Sequence, residues 1–370
     1  MSEELKSTVL CNEHMTLNAR MVPFSGWNMP VQYAEGILAE HQHTREHVSL
    51  FDICHMGEIK VFEKGAREAL DKILARPVFD QSLGSCRYNF LLNDAGGVID
   101  DLIVYYLGED DYFIVTNAAR RDDDVAQIRK HLPNGIELVD ISDETAKLDL
   151  QGPESATVIS ELTGLQICEL PKYFRWQWVE IDGIRVLLSR TGYTGELGFE
   201  LYFPMDKAVT LWRRLLQFKN VKPAGLGARD TLRLEMGMAL YGHELNLETT
   251  PLEAGYGFML KMEDFPSREF IGRKALENTP GERELVAVYL EGRRAAREHT
   301  ELLDINQNTI GIVTSGGFAP SLGHAIALAY VSKGSVNKND AVFLNVGKSQ
   351  IQGKIGGLPF YTNGTARNKI

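Results

Sequence analysis

A chain of 370 residues is too long for one ordinary hydrophobic core and should divide into two or three domains. With 44% hydrophobic and 24% charged residues it has a soluble globular composition, and a net charge of −11 argues against nucleic acid as a partner. Cys11, Cys54, Cys86 and Cys168 are widely spaced, form no CxxC pair and fit a reducing compartment. The opening MSEELKSTVL lacks the basic and apolar regions of a secretory signal, and no apolar run approaches the roughly 20 residues that cross a bilayer. The expectation is a cytoplasmic protein with no membrane partner.

Residues 16–34 mix aromatics with Gly and Pro and read as a packed, irregular entry segment. Residues 37–47 have helical character, 50–62 alternate as one strand, and a helix is predicted over 65–75. Strands follow near 87–92, 98–106 and 111–117, and RRDDDVAQIRKHL is a helix. Strand signals recur near 137–150, 176–189 and 198–203. PMDKAVTLWRRLLQF has helical spacing and leads into GLGARDTLRLEMGMALYG, where Leu232, Met236 and Leu240 mark one stripe. A boundary near 280, at ENTPGERE, separates the final ninety or so residues. There VAVYLEG, NTIGIVTSGG, AIALAYV, AVFLNV and LPFYT read as short strands of a small all-β unit.

The stretch NDAGGVIDDLIVYY, residues 93–106, joins turn chemistry to a strand that carries Asp100 and Asp101 into an apolar run. Successive strand side chains point to opposite faces, so the two carboxylates cannot act together on one ligand atom. Either both bond loop N–H groups at the strand's start, or one lines a cavity and accepts a proton or hydrogen bond. In GYTGELGFELYF, Glu200 faces away from the apolar Phe199, Leu201 and Phe203, with glycines that allow close approach of a ligand. Arg229 and Arg233, four apart on a helix, suit carboxylate recognition or salt bridges to Asp230 or Glu235. His43 and His47 have the i, i+4 spacing of metal ligands without an HExxH context, so an exposed helix face is expected and no metal.

Nine segments in order carry a resemblance: RMVPFSGWNMPVQY, LFDICHMGEIKV, NDAGGVIDDLIVYY, FIVTNAA, LQGPES, SRTGYTGELGFELYFP, GLGARDTLRLEMGMALYGHEL, TPLEAGYGF and IGIVTSGGFAPSLGHAIALAYV. Together they resemble the glycine cleavage system T-protein family, the tetrahydrofolate-dependent aminomethyltransferases. The resemblance implies an α/β (α+β) fold with three domains in a cloverleaf around a central folate channel. The first domain would hold 1–50 and 140–225, the second 51–139 and 226–279, and 280–370 would form a small C-terminal all-β, barrel-like unit.

By motif position, the resemblance makes Asp100 the catalytic carboxylate facing the folate and leaves Asp101 to structural bonding. Met56, Tyr88, Asn117 and Tyr193 would line the pterin cavity, Glu200 would grip the ring's amino and N–H groups, and Arg229 would be its basic partner. Phe258 stands where some members have Trp, and Arg297 resembles a basic residue at the folate's outer end, without the neighbouring Gly and Pro of the usual pattern. The implied reaction moves the aminomethyl carbon from the dihydrolipoyl arm of H-protein to tetrahydrofolate, releasing ammonia and giving 5,10-methylenetetrahydrofolate. RRAAR at 293–297 and KYFRW at 172–176 are candidate docking regions for that partner. The alternatives are a tetrahydrofolate-dependent demethylase and a non-enzymatic folate-binding relative; the cysteine motif of the latter is replaced here by RTGYTGELGFE.

Overall fold

The computed structural model describes residues 5–278, 281–347 and 349–370. The predicted boundary at ENTPGERE therefore overlaps Thr279 and Pro280, which lie outside the described residues. Two large open sheets, one closed barrel and a small sheet of 6–7, 27–32 and 20–24 organise the chain, so the entry segment expected to be irregular is mostly paired strand.

The strand predicted over 50–62 is two strands in different sheets. Val48–Asp52 pairs with Thr145–Gln151, whereas Gly57–Phe62 pairs with Asp111–Thr116. Asp52 turns the chain between them: its buried carboxylate accepts from the Cys54 N–H (2.9 Å), the Thr8 hydroxyl (2.6 Å) and the His14 ring (2.8 Å). The region 137–150 divides in the same way, into Glu137–Asp140 and Thr145–Gln151, with Asp140 accepting from both the Ser142 N–H and its hydroxyl. Each crossing exchanges an apolar alternation for a short side-chain-to-backbone turn.

The first sheet has six strands in the order 176–181, 184–189, 198–204, 145–151, 48–52 and 221–223. Helices Ser155–Thr163 and Ala208–Leu215 cover one face of it, over a core that includes Leu148, Leu150, Ile159, Phe199, Leu211 and Trp212. The second sheet orders 86–92, 98–108, 111–116, 57–62 and 137–140. Its covered face packs Leu102, Val104 and Ile114 against Leu70 of helix Ala66–Ile73 and Ile128 of helix Arg121–His131. Each such fully buried side chain is worth about 1.5–3 kcal/mol. The uncovered faces meet: Tyr105 and Phe113 of the second sheet share a cluster with Leu187 and Tyr202 of the first.

The helix predicted through GARDTLRLEMG spans only Leu226–Glu235, ending where Gly237 takes φ 66°. Leu232 is buried on it, but Met236 and Leu240 leave the helix, so the expected three-residue stripe is not one face. In the C-terminal part, strands 283–290, 324–332, 309–319, 301–303, 341–346 and 349–356 close a barrel. LPFYT is not one of these strands; SQIQGKIG supplies the last one instead. The barrel docks through a buried ionic hub. Arg45 bonds Glu196 and Glu235, each at 2.8 Å, and Glu235 also accepts the Ser321 N–H of a barrel turn at 2.8 Å. No helix among the described residues is long and apolar enough to cross a membrane.

Candidate active site between the two sheets

In strand Val98–Gly108, alternation sends Asp100 and Asp101 to opposite faces, and what covers each face decides their roles. Asp100 lies on the face that helix Arg121–His131 covers, and it is 0% exposed. Its carboxylate accepts from the Asn117 N–H and from Asn117 Nδ2, both at 2.8 Å, and meets the carboxyl of Asp124. Asp101 is half-buried on the face turned toward the first sheet, where it accepts from the Tyr88 phenol (3.0 Å) and from Asn117 Nδ2 (2.9 Å). The expectation that Asp100 faces the ligand is therefore corrected. Helix packing consumes the first carboxylate of the pair, and Asp101 is the one presented inward.

Burial first, and the neighbouring Asp100 charge second, push the Asp101 carboxyl up to about 7. That is the range in which a carboxylate exchanges protons near neutrality. Tyr88 lies edge-on to Tyr256 at 5.6 Å, and burial together with the Asp101 charge raises the Tyr88 phenol well above its usual value. Tyr193 is raised too, chiefly by burial, with the Asp101 charge adding to the rise. Its phenol donates to the Ala239 carbonyl.

The first sheet answers with a polar row in strand Thr145–Gln151, where Lys147, Asp149 and Gln151 share one face. Asp149 stands opposite Glu200 in the register, and Lys147 opposite Tyr202. Lys147 Nζ lies 2.9 Å from Glu200 and 3.4 Å from the Met56 sulfur. The Arg229 guanidinium lies 2.6 Å from Asp149 and 5.0 Å from the Tyr193 ring centroid. Burial acts to raise the Glu200 carboxyl, yet Lys147, the Thr191 hydroxyl and Arg229 together hold it below the usual range. Burial raises Asp149 to about 6 despite Arg229.

Met56, Tyr88, Asn117, Tyr193, Glu200 and Arg229 are thus linked to Asp101 or to its facing row by direct contacts or by the field of its charge. Two expected residues are not brought in. Phe258 is 75% exposed on the short helix Gly257–Leu260, and Tyr256, two residues earlier, provides the aromatic contact to Tyr88 instead. Arg297 is exposed on a barrel loop, where its N–H donates to the Thr300 hydroxyl at 3.2 Å. Arg233 pairs with Asp230 (2.8 Å) and Glu244 (3.0 Å), a structural role. His43 bonds the Val48 and Asn220 carbonyls, each at 3.0 Å, and His47 bonds Glu154. Sequence reasoning missed Lys147, Asp149, Tyr256 and Asp124. The period-two polar positions inside the otherwise apolar TAKLDLQ were the available signal for the first two.

Comparison with known proteins gives the family of the chain. Residues 10–264 match the GCVT N-terminal domain and residues 283–362 the glycine cleavage T-protein C-terminal barrel domain. The chain is 38% identical over 364 residues to an aminomethyltransferase of Flavobacterium psychrophilum, covering 96% of this chain and 99% of the relative. It is 41% identical over 362 residues to one of Halothermothrix orenii, covering 96% and 100%. The crystal structure of the glycine cleavage system aminomethyltransferase T from Bartonella henselae superposes with a TM-score of 0.92 at 34% identity, covering 98% of this chain and 99% of that one. The chain belongs to the glycine cleavage T-protein family. Its activity is that of an aminomethyltransferase.

Proposed function

We propose that the space between the two sheets receives tetrahydrofolate and the aminomethyl arm of lipoylated H-protein, and that Asp101 is the carboxylate that handles the reacting proton. The reaction would release ammonia and yield 5,10-methylenetetrahydrofolate and the dihydrolipoyl carrier. One observation carries the reading: of two adjacent carboxylates, the half-buried Asp101 is turned toward the other sheet among phenols, while Asp100 is sealed beneath a helix.

The residues fit a reduced pterin, whose pyrimidine half is flat and which is rich in N–H groups. Tyr88, Tyr193 and Tyr256 offer aromatic faces, and Glu200 and Asp149 offer carboxylate acceptors whose charges Lys147 and Arg229 balance. Tetrahydrofolate supplies the amine nitrogens that take up the one-carbon unit. Asp101, ionised at and above about pH 7, accepts a proton in the transfer, and its negative charge stabilises positive charge that develops beside it. Tyr88 and Asn117 hold its two oxygens in place, and the apolar Phe90 opposite it in the register limits water.

The test compares Asp101→Asn with Asp100→Asn in turnover of aminomethylated H-protein at saturating tetrahydrofolate. Asp101→Asn should lower kcat by about 10²–10⁴-fold with folate affinity close to that of the parent. Near-normal kcat in Asp101→Asn, with the loss confined to Asp100→Asn, returns the role to Asp100.

A further inference from the structure

Beneath the strand that presents Asp101, a second acidic pair is closed off from water. Asp124, on helix Arg121–His131, is 0% exposed, as is Asp100. Neither Asp124 oxygen receives an N–H or O–H from another group among the described residues, and its carboxyl meets that of Asp100. Two buried carboxyls in contact cannot both be charged, because each would lack solvation and repel the other. At least one of the two must carry a proton.

The other contacts say which of the two holds it. The Asp100 oxygens already accept from the Asn117 N–H and Nδ2, which suits a carboxylate; Asp124 has no such donors, which suits a neutral acid. Asn117 Nδ2 also reaches Asp101, at 2.9 Å to its carboxylate and 3.1 Å to its carbonyl. One amide therefore ties together carboxylates on opposite faces of the strand.

We infer that Asp124 is a positioning residue for the transfer reaction: as a neutral acid it donates its proton to the Asp100 carboxylate, which anchors the Asn117 amide that in turn holds Asp101 toward the intersheet space. The inference rests on the reading of Asp101 as the reacting carboxylate. Burial, then the Asp100 charge, push Asp124 up to about 11, so it stays protonated through the neutral range. The charged neighbours do not reverse this. Arg120, the nearby cation, spends Nε on the Ile99 carbonyl (2.9 Å) and Nη1 on Asp123 (2.7 Å), and its guanidinium lies 5.3 Å from the Tyr241 ring centroid. Asp123, Asp101 and the Tyr241 phenol are the other titratable groups acting in this cluster, and the Asp123 charge raises Asp124 further.

The experiment uses the full chain with Asp124→Ala, Asp124→Asn and Asp101→Asn, reading kcat, the tetrahydrofolate KM and the protonated-carboxyl C=O stretch by infrared difference spectroscopy. Asp124→Ala should lower kcat on the order of 10–10²-fold with a smaller change in KM, because Asp101 loses its fixed orientation. Asp124→Asn keeps an N–H donor for Asp100 and should recover most of that loss while removing the infrared band present in the parent. A parent-minus-Asp124→Asn spectrum at about pH 9, where Asp101 is ionised, that lacks the band overturns the assignment of the proton. Parental kcat in Asp124→Ala, with Asp101→Asn inactive, overturns the positioning role alone. An active Asp101→Asn instead overturns the underlying reading, which separates the two failures.

Discussion

The Tyr88 phenol offers a direct measure of how the site tunes its base. It donates to Asp101 Oδ2 at 3.0 Å, so it stabilises the charged form of a carboxyl that burial and Asp100 have pushed up to about 7. A hydrogen bond to a charged group is worth about 1.5–3 kcal/mol, which at 1.36 kcal/mol per pKa unit is roughly 1–2 units. Deleting the hydroxyl favours the neutral acid, so Tyr88→Phe should move Asp101 from about 7 to roughly 8–9. A base acts only when ionised, so activity is retained above the pKa and lost below it. In the parent, kcat at saturating tetrahydrofolate should rise with pH to a plateau, with a midpoint near 7. At pH 7 the ionised fraction then falls from about one half to about 1–10%, a loss of roughly 5–50-fold that should be regained near pH 9–10. The assay is a pH series of kcat for both proteins, with stability checked at each pH. A uniform loss at every pH, or an unmoved midpoint, refutes the link between this phenol and the titration of the reacting group.

Two further outcomes test the scaffold around the site. Lys147 is buried against Glu200 at 2.9 Å, so Lys147→Met leaves an uncompensated buried carboxylate and should cost about 3–5 kcal/mol in denaturant unfolding, much of it recovered by adding Glu200→Gln. An equally stable single variant would show that Glu200 has another source of compensation. At the barrel junction burial acts upward on Glu235, but His41, Ser321 and Arg45 outweigh it and hold the carboxyl down to about 2, against an ordinary value of 4.5. A depressed carboxylate stabilises the fold above its unfolded pKa and loses that contribution as pH falls through the folded one. About 3 kcal/mol should therefore disappear between about pH 4.5 and 2, and Glu235→Gln should flatten that part of the stability curve. An unchanged acid limb in the variant would count against the hub.

The apolar, β-branched runs of the barrel and of strand Val98–Gly108 were legible because their patterning is local. The crossings between sheets were not. LFDICHMGEIKVF alternates through Asp52 and His55 as one strand would, and the break depends on Thr8 and His14, more than thirty residues away in sequence, meeting the Asp52 carboxylate. The candidate site was drawn mostly from the family pattern: Met56, Tyr88, Asn117, Glu200 and Arg229 contact Asp101 or its facing row, and Tyr193 lies against Arg229. Asp100 was expected to face the ligand by motif position alone, whereas it lies buried under a helix. Alternation says that two adjacent strand residues face opposite ways, but which face is covered depends on helix Arg121–His131, and nothing within VIDDLIVYY carries that information.

That helix also explains why a buried strand can carry two neighbouring carboxylates. If both lay in one environment, mutual repulsion and desolvation would drive one to protonate and leave its role undefined. Dividing them between faces gives each its own solution: Asp100 is matched by a neutral acid and two Asn117 donors, while Asp101 keeps a half-open face and a pKa near 7. The division does not make them independent, because Asn117 Nδ2 bonds both and the Asp100 charge is the second cause of the Asp101 shift. The covered carboxylate thus raises the basicity of the exposed one by repulsion while fixing its orientation through a shared amide. A serine or asparagine at position 100 could supply hydrogen bonds, but neither carries the charge that adds to burial in raising the Asp101 carboxyl.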